Sequence, residues 1–208
     1  MLRRGPLNND APMNENWNLH YPEALSDIQC ATEVAGFRMA CDQLTGSLLR
    51  VLAASKPAGA LLELGTGTGM GASWILSGMD AASTLDTVDR DESVVGIARQ
   101  FLGHDSQIRF HVSDGAAFLV SLAGRQFDLI FADTWPGKFA HLEDALSLLR
   151  PGGIYIGDDL LPQPSWPDGH APKIPQFLSA LEQRPDLHVT RLAWSTGLVL
   201  ATKRLNSK

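Results

Sequence analysis

The chain has 208 residues, enough for one good core and too few for two comfortable domains. Its 44% hydrophobic and 19% charged residues are ordinary for a globular protein, and 17 basic against 23 acidic side chains give a formal net charge of −6. That balance argues against a nucleic-acid partner. No apolar run approaches membrane-spanning length, and the two arginines of MLRRGPLNND have no apolar stretch behind them. Neither a membrane anchor nor a secretory signal is expected, and the expected location is cytoplasmic.

Residues 1–20 are polar, rich in Asn and without periodicity, which predicts a flexible N-terminal arm. Residues 21–208 are expected to form a single domain that opens with a helical extension. From about 24 to 54, Val34, Phe37, Cys41, Leu44, Leu48 and Val51 recur at steps of three and four, predicting one apolar helical stripe broken at Gly46. If Cys30 and Cys41 share one helix, about 16 Å of rise separates them, too far for a disulfide. Two reduced, half-buried thiols are expected.

After KPAGA, short apolar runs alternate with amphipathic stretches. Strands are expected at 60–65, 84–89, 107–112, 127–132 and 152–158, and helices at about 70–79, 92–103, 115–123 and 138–150. The helix at 138–150 is expected to end at Pro151-Gly152-Gly153. This alternation predicts an α/β fold with a doubly wound, mostly parallel sheet. A helix near 173–184 is followed by LHVTRLAW and GLVLATKR, separated only by Ser195 and Thr196. So short a link demands an antiparallel hairpin, hence an antiparallel last strand.

The loop between the first strand and first helix reads LLELGTGTGMG. Gly65, Gly67 and Gly69, with Thr66 among them, allow backbone angles and close approaches that side chains forbid, and a helix N-terminus there offers free N–H groups to an anion. A G-x-G-x-x-A match at 67–72 keeps a nicotinamide cofactor in view. Glu63, two residues before Gly65, gives instead E-x-G-x-G-x-G, the methyltransferase form of the loop. Asp89 ends the second strand, 20 residues after Gly69, where a carboxylate accepts from ribose hydroxyls; Arg90 adjoins it. The alternative role for Asp89 is to cap the helix near Glu92. Asp114, before Gly115, either accepts from an adenine amino group or caps its own helix. The apolar run FDLIFAD then delivers Asp133 beyond a strand end, followed by a turn of Trp135, Pro136 and Gly137.

Taken in order, ELGTGTG, TVDRD, SDGAA, FDLIFAD and LLRPGGIYIGDD resemble the class I S-adenosylmethionine-dependent O-methyltransferases, above all the catechol and caffeoyl-coenzyme A branch. The resemblance spans roughly residues 35–203. It implies a seven-stranded Rossmann-like sheet with an antiparallel last strand, S-adenosylmethionine as cofactor, a small-molecule acceptor that is phenolic in this branch, and a homodimer. Glu63, Gly65, Thr66, Gly67, Gly69, Asp89, Arg90, Asp114, Gly115 and Asp133 are the implied cofactor-binding residues. The resemblance also implies a Mg²⁺-type ion on Asp133, Asp158 and Asp159. Two positions depart from the branch: Asp159 stands where Asn is usual, and Pro136 stands where a lysine is expected, with Lys138 two positions late. Lys138 and His170 are the candidate general bases, and Trp135, Phe139 and Trp166 the candidate apolar wall for the acceptor. Two rivals remain: a cofactor-binding protein without transfer activity, and a nicotinamide oxidoreductase. The Glu63 form of the loop and the terminal hairpin disfavour the second.

Overall fold

The computed structural model describes residues 20–205, so the arm expected at 1–20 lies, apart from His20, outside the described residues. Seven strands form one sheet: β1 (Ala60–Leu64), β2 (Thr84–Asp89), β3 (Ile108–Val112), β4 (Phe127–Ala132), β5 (Leu149–Gly157), β6 (Leu187–Leu192) and β7 (Leu198–Lys203). Their spatial order is β3-β2-β1-β4-β5-β7-β6. The first five pair in parallel, and β7 runs antiparallel to both β5 and β6. The order reverses between β1 and β4, and a crevice opens beyond strand ends at such a switch point.

Successive strand residues serve opposite faces, and both faces are dry. Leu61, Leu129, Phe131 and Ile156 pack on the side of α1 (Leu25–Val34), α2 (Gln43–Ala54) and α3 (Met70–Gly78), with Ile28, Leu49, Trp74 and Ile75. Leu62, Leu64, Ile130 and Tyr155 pack on the other side with Phe118 of α5 (Gly115–Ser121), Leu146 of α6 (Leu142–Ser147) and Phe177 of α7 (Ile174–Glu182). Helix α4 (Glu92–Leu102) is capped by Asp91, whose carboxylate accepts from Ser93 N at 2.9 Å. Each of these large side chains contributes roughly 1.5–3 kcal/mol by leaving water.

The structure corrects the N-terminal reading. The helical region breaks at 35–42, not at Gly46, because Asp42 caps a new helix by accepting from Leu44 N and Thr45 N. The restart changes the helical phase, so Val34 and Val51 of the expected stripe are 85% and 65% exposed while Leu49 and Ala53 turn inward. Gly46 has a packing role instead: a Cβ there would collide with the buried Trp74 indole. The helix expected at 138–150 is only α6, and Pro151-Gly152-Gly153 lies inside β5. There the pairing with β4 shifts register between Phe127 and Leu129, and Gly152 takes φ +79°. Cys30 on α1 is exposed and Cys41 in the connection to α2 is buried, and both are free thiols.

Candidate active site

The glycine loop sits at the switch point and its geometry explains its glycines. Gly65 (φ +107°) passes so close to the end of β4 that a Cβ would lie 2.9 Å from the Asp133 carbonyl oxygen. Gly69 (φ +94°) caps α3 and packs on Ala98, where a Cβ would lie 2.9 Å away. Gly65 N and Thr66 N both donate to Val88 O, and Gly67 N donates to the Asp89 carboxylate at 2.9 Å. Asp89 also accepts from Asp91 N and does not cap α4. It therefore holds the loop and stands half-buried at the strand end, where a ribose acceptor is expected. Arg90 beside it is exposed, and its charge acts on Asp91.

Beneath the loop lies a buried polar chain. Thr66 Oγ1 and Thr87 Oγ1 are 2.7 Å apart, and Thr87 Oγ1 donates to Glu63 Oε2 at 2.5 Å. Glu63 is 1% exposed, and its Oε1 is buried without a partner among the described residues. Burial pushes its carboxyl up to about 8, against the pull of the Thr87 bond, and the charge of Asp89 adds to the rise. Asp86 shows the contrasting case one residue away. Burial would raise it too, yet bonds from Arg125 (2.6 Å) and His111 (2.8 Å) win and hold it low. Glu63 has no such cation, so it is an acid waiting for one. Thr32 Oγ1 donates to Thr68 Oγ1 at 2.7 Å, and Phe37 covers Gly67, so the N-terminal segment closes over the loop.

Asp114 is the N-cap of α5, accepting from Ala116 N and Ala117 N at 3.0 Å. Its neighbour Gly115 has no Cβ because Pro136 lies against it; a Cβ would sit 3.0 Å from the proline ring. The proline at the expected lysine position thus packs toward α5. Trp135 O accepts from the backbone N–H of Lys138, Phe139 and Ala140, a tight turn that sends Lys138 inward. Lys138 is 2% exposed, and its Nζ donates to Asp158 O at 2.8 Å.

Asp133 and Asp158 end neighbouring strands. Asp133 N donates to Leu64 O, and Asp158 N to Ala132 O. Asp158 Oδ1 accepts from Asp159 N at 2.6 Å and from Thr196 Oγ1, so one of its oxygens is already committed. Burial is the main cause that raises both carboxyls; the charge of Asp158 raises Asp133 further, and Lys138 opposes the rise in both. Cys41 belongs to the same cluster: burial, then the charges of Asp158 and Asp133, push its thiol up. Asp159 is half-buried with φ +61°, a left-handed backbone uncommon for a side-chain-bearing residue. Among the described residues no three His, Cys, Asp or Glu side chains are arranged to hold a metal ion. The expected set of Asp133, Asp158 and Asp159 does not converge as three free carboxylates.

His170 is only 3% exposed. Its Nε2–H donates to Asp159 O at 2.9 Å, and its ring stacks on Trp166 (4.5 Å, 20°) and meets Phe139 edge-on (4.8 Å, 83°). Burial lowers its pKa and keeps the ring neutral. Trp135, Phe139 and Trp166, the expected wall, do converge, but around His170 and Lys173, whose Nζ lies 5.0 Å from the Trp135 ring centre. Sequence reasoning missed Thr87, Thr196, Cys41 and Phe37. Thr87 alone had a local signal, since it lies two residues before Asp89 and on the same strand face.

The orphan Glu63 Oε1, the cradle at Gly65–Gly69 and the Asp89 carboxylate fit S-adenosylmethionine, whose amino-acid ammonium and ribose hydroxyls need those acceptors.

Residues 62–160 match the family described as Methyltransferase domain. A provisionally named O-methyltransferase of Mycolicibacterium vanbaalenii is 34% identical over 116 residues, covering 53% of this chain and 51% of its own. The chain thus spans about half the length of the curated relatives it matches. A solved structure provisionally named as an O-methyltransferase from Klebsiella pneumoniae superposes with a TM-score of 0.76 at 26% identity, over 88% of this chain and 90% of that one. The O-methyltransferase TomG of Streptomyces achromogenes, solved with S-adenosylmethionine, shares the fold at a TM-score of 0.79 and 23% identity, over 92% and 94% of the two chains. Residues 62–160 are therefore a match to a methyltransferase domain, and the sheet that carries them has the Rossmann-like fold of S-adenosylmethionine-dependent O-methyltransferases.

Proposed function

We propose that the protein is an O-methyltransferase that uses S-adenosylmethionine to methylate a small, phenolic acceptor. The observation that carries this reading is the glycine loop at the switch point. There the Asp89 carboxylate is fixed on the Gly67 N–H, and Glu63 keeps an unpartnered oxygen beneath the same loop. When bound, S-adenosylmethionine supplies a methyl group already activated on a sulfonium. The chain has then to hold the cofactor, exclude water and take a proton from the acceptor hydroxyl. Glu63 and Asp89 hold the amino-acid and ribose ends. Phe37 covers the glycine loop, and Asp133 and Asp158, whose carboxyls burial raises, Asp158 to about 7, are the proton acceptors. Lys138 stabilises the ionised form of both acids. A Mg²⁺-type ion on Asp133, Asp158 and Asp159 finds no support in the geometry, and no step here passes through one.

The same reading places residues 21–208 in one cytoplasmic domain acting as a homodimer. Exposed Val34, Met39 and Val51 on and between α1 and α2 support a covered face there. Calorimetric titration with S-adenosylmethionine, followed by methyl transfer from labelled cofactor over a phenol panel with and without EDTA, tests the proposal. Binding without transfer to any phenol leaves the cofactor-binding rival, and nicotinamide binding in its place establishes the oxidoreductase. Loss of turnover in EDTA restores the metal.

A further inference from the structure

A histidine in a proline-rich connection is ordinarily exposed, yet His170 is buried, only 3% exposed, and the reason lies in what it holds. The chain leaves β5 at Gly157 and within two residues adopts the left-handed backbone of Asp159. Such a conformation persists only when its surroundings over-determine it. Four contacts do so here. Lys138 Nζ donates to Asp158 O, Asp159 N closes on Asp158 Oδ1, and Leu160 N and Leu161 N donate to Gly197 O and Thr196 O of the β6–β7 turn. The fifth comes from across the connection: His170 Nε2–H on Asp159 O. Among the described residues it is the hydrogen bond that ties the far end of the 160–170 segment back to the strand end.

We propose that His170 is a positioning residue that latches residues 160–169 over the strand-end acids, so that the Asp158–Asp159 backbone and the Trp166 wall keep one geometry relative to the acceptor. The proposal rests on the methyl-transfer reading for its consequence in turnover, though not for the latch itself. Two features of the ring argue for this role over that of a general base. Its Nε2 is spent as a donor to a carbonyl, which only accepts, so Nε2 carries the hydrogen. One face stacks on Trp166 and Phe139 meets the ring nearly at right angles, so a swing of the ring during a proton transfer would break both contacts. Trp166 reaches its place through this stack, and its indole N–H is buried with no partner among the described residues. A hydrogen-bond donor is thereby held ready on the wall.

The test needs no acceptor at its first step. Long-range ¹H–¹⁵N NMR of the wild-type imidazole should show the neutral Nε2–H tautomer with a slowly exchanging proton; an Nδ1–H tautomer overturns the latch. His170→Phe keeps the stack and removes the donor, whereas His170→Gln keeps a donor near the Nε2 position. In H170F, deuterium uptake by residues 160–169 should accelerate by about tenfold, the loss of one buried hydrogen bond. Binding of S-adenosylhomocysteine, read by calorimetry, should stay within about twofold, because the latch lies away from the glycine loop. With a phenol that the wild type methylates, H170F should lose kcat/KM by about tenfold, chiefly in kcat, and H170Q should recover most of it. Unchanged exchange in H170F, an H170Q variant no better than H170F, or a parallel loss of S-adenosylhomocysteine binding overturns the proposal. Should no phenol be methylated, the functional reading fails on its own, and tautomer and exchange still decide the latch.

Discussion

Glu63→Gln isolates the electrostatics of the glycine loop. The wild-type carboxyl is buried, bonded to Thr87 on one oxygen and to nothing described on the other, and its pKa rises from 4.5 to about 8. Ionising it in the folded chain therefore costs about 5 kcal/mol more than in the unfolded chain, at about 1.36 kcal/mol per pH unit. Local relaxation and water uptake reduce this to about 2–5 kcal/mol. The sign follows from proton binding. Below pH 4.5 both states are protonated and nothing is lost. Between 4.5 and about 8 the unfolded chain releases the proton while the folded chain keeps it, so stability falls as pH rises; above that the loss is complete. Asp133 and Asp158 are raised as well and add a slope of the same sign, so the informative quantity is the difference between variant and wild type. A glutamine keeps an acceptor for Thr87 and never ionises. Thermal melts of the cofactor-free proteins should nearly coincide at pH 5, and Glu63→Gln should melt higher by about 5–15 °C at pH 8.5 for a chain of this size. With saturating S-adenosylmethionine the order should reverse, because the variant gives the cofactor's ammonium no carboxylate. Melting curves for variant and wild type that run parallel across pH 5–8.5 would show that Glu63 is ionised throughout and refute the argument.

Asp89→Asn removes the charge that fixes Gly67 N–H and that, on the proposed function, faces the ribose; calorimetry should show S-adenosylmethionine binding weakened by about 10–100-fold, the worth of a charged hydrogen bond. Gly46→Ala drives a methyl into the Trp74 indole between α2 and α3 and should destabilise the chain by about 1–3 kcal/mol in urea unfolding, with the denaturant slope unchanged. Lys138→Met removes the cation that opposes the rise in Asp133 and Asp158. Both acids then stay protonated to higher pH, so the acid limb of the pH–rate profile should move upward while S-adenosylhomocysteine affinity holds.

The parallel strands were legible because short, nearly continuous apolar runs at regular spacing are local signals, and the two-residue link Ser195-Thr196 forced the antiparallel end. What misled were signals that tertiary contact reinterprets. Pro151-Gly152-Gly153 reads as a helix stop, yet β4 pairs around it through a register shift that a single sequence does not display. The stripe from Val34 to Val51 has helical spacing, but the Asp42 cap resets the phase, a choice between two competing local patterns. At the site, the spacing of Asp89 from the glycines located a strand-end acid that the structure ties to Gly67 N, whereas Asp114, with a similar setting, is the N-cap of α5. The displaced lysine misled differently. Counting residues from Asp133 finds Pro136, but the turn on Trp135 O brings Lys138 round to Asp158, and only three-dimensional geometry records that. Thr196 and Cys41 lie far along the chain from the acids they meet and had no local signature.

The grouping of Glu63, Asp133 and Asp158 has a consequence for ligand choice. These carboxyls are held above their ordinary range chiefly by burial; Lys138 opposes the rise in Asp133 and Asp158, and no cation opposes it in Glu63 among the described residues. A ligand bearing positive charge relieves that cost, and a neutral one of the same shape does not. S-adenosylmethionine carries a sulfonium and its demethylated product a neutral thioether, so on the proposed function the acids would favour the methylated form over the product. The charge at issue is single, and at about 6 Å with an effective dielectric constant of about 20 it is worth about 1–3 kcal/mol. Asp133→Asn should therefore weaken S-adenosylmethionine binding by about 5–100-fold and S-adenosylhomocysteine binding far less, read by titrating each into the same variant. Equal losses for both ligands would mean that Asp133 acts through shape, and that the buried acids do not discriminate the charge on sulfur.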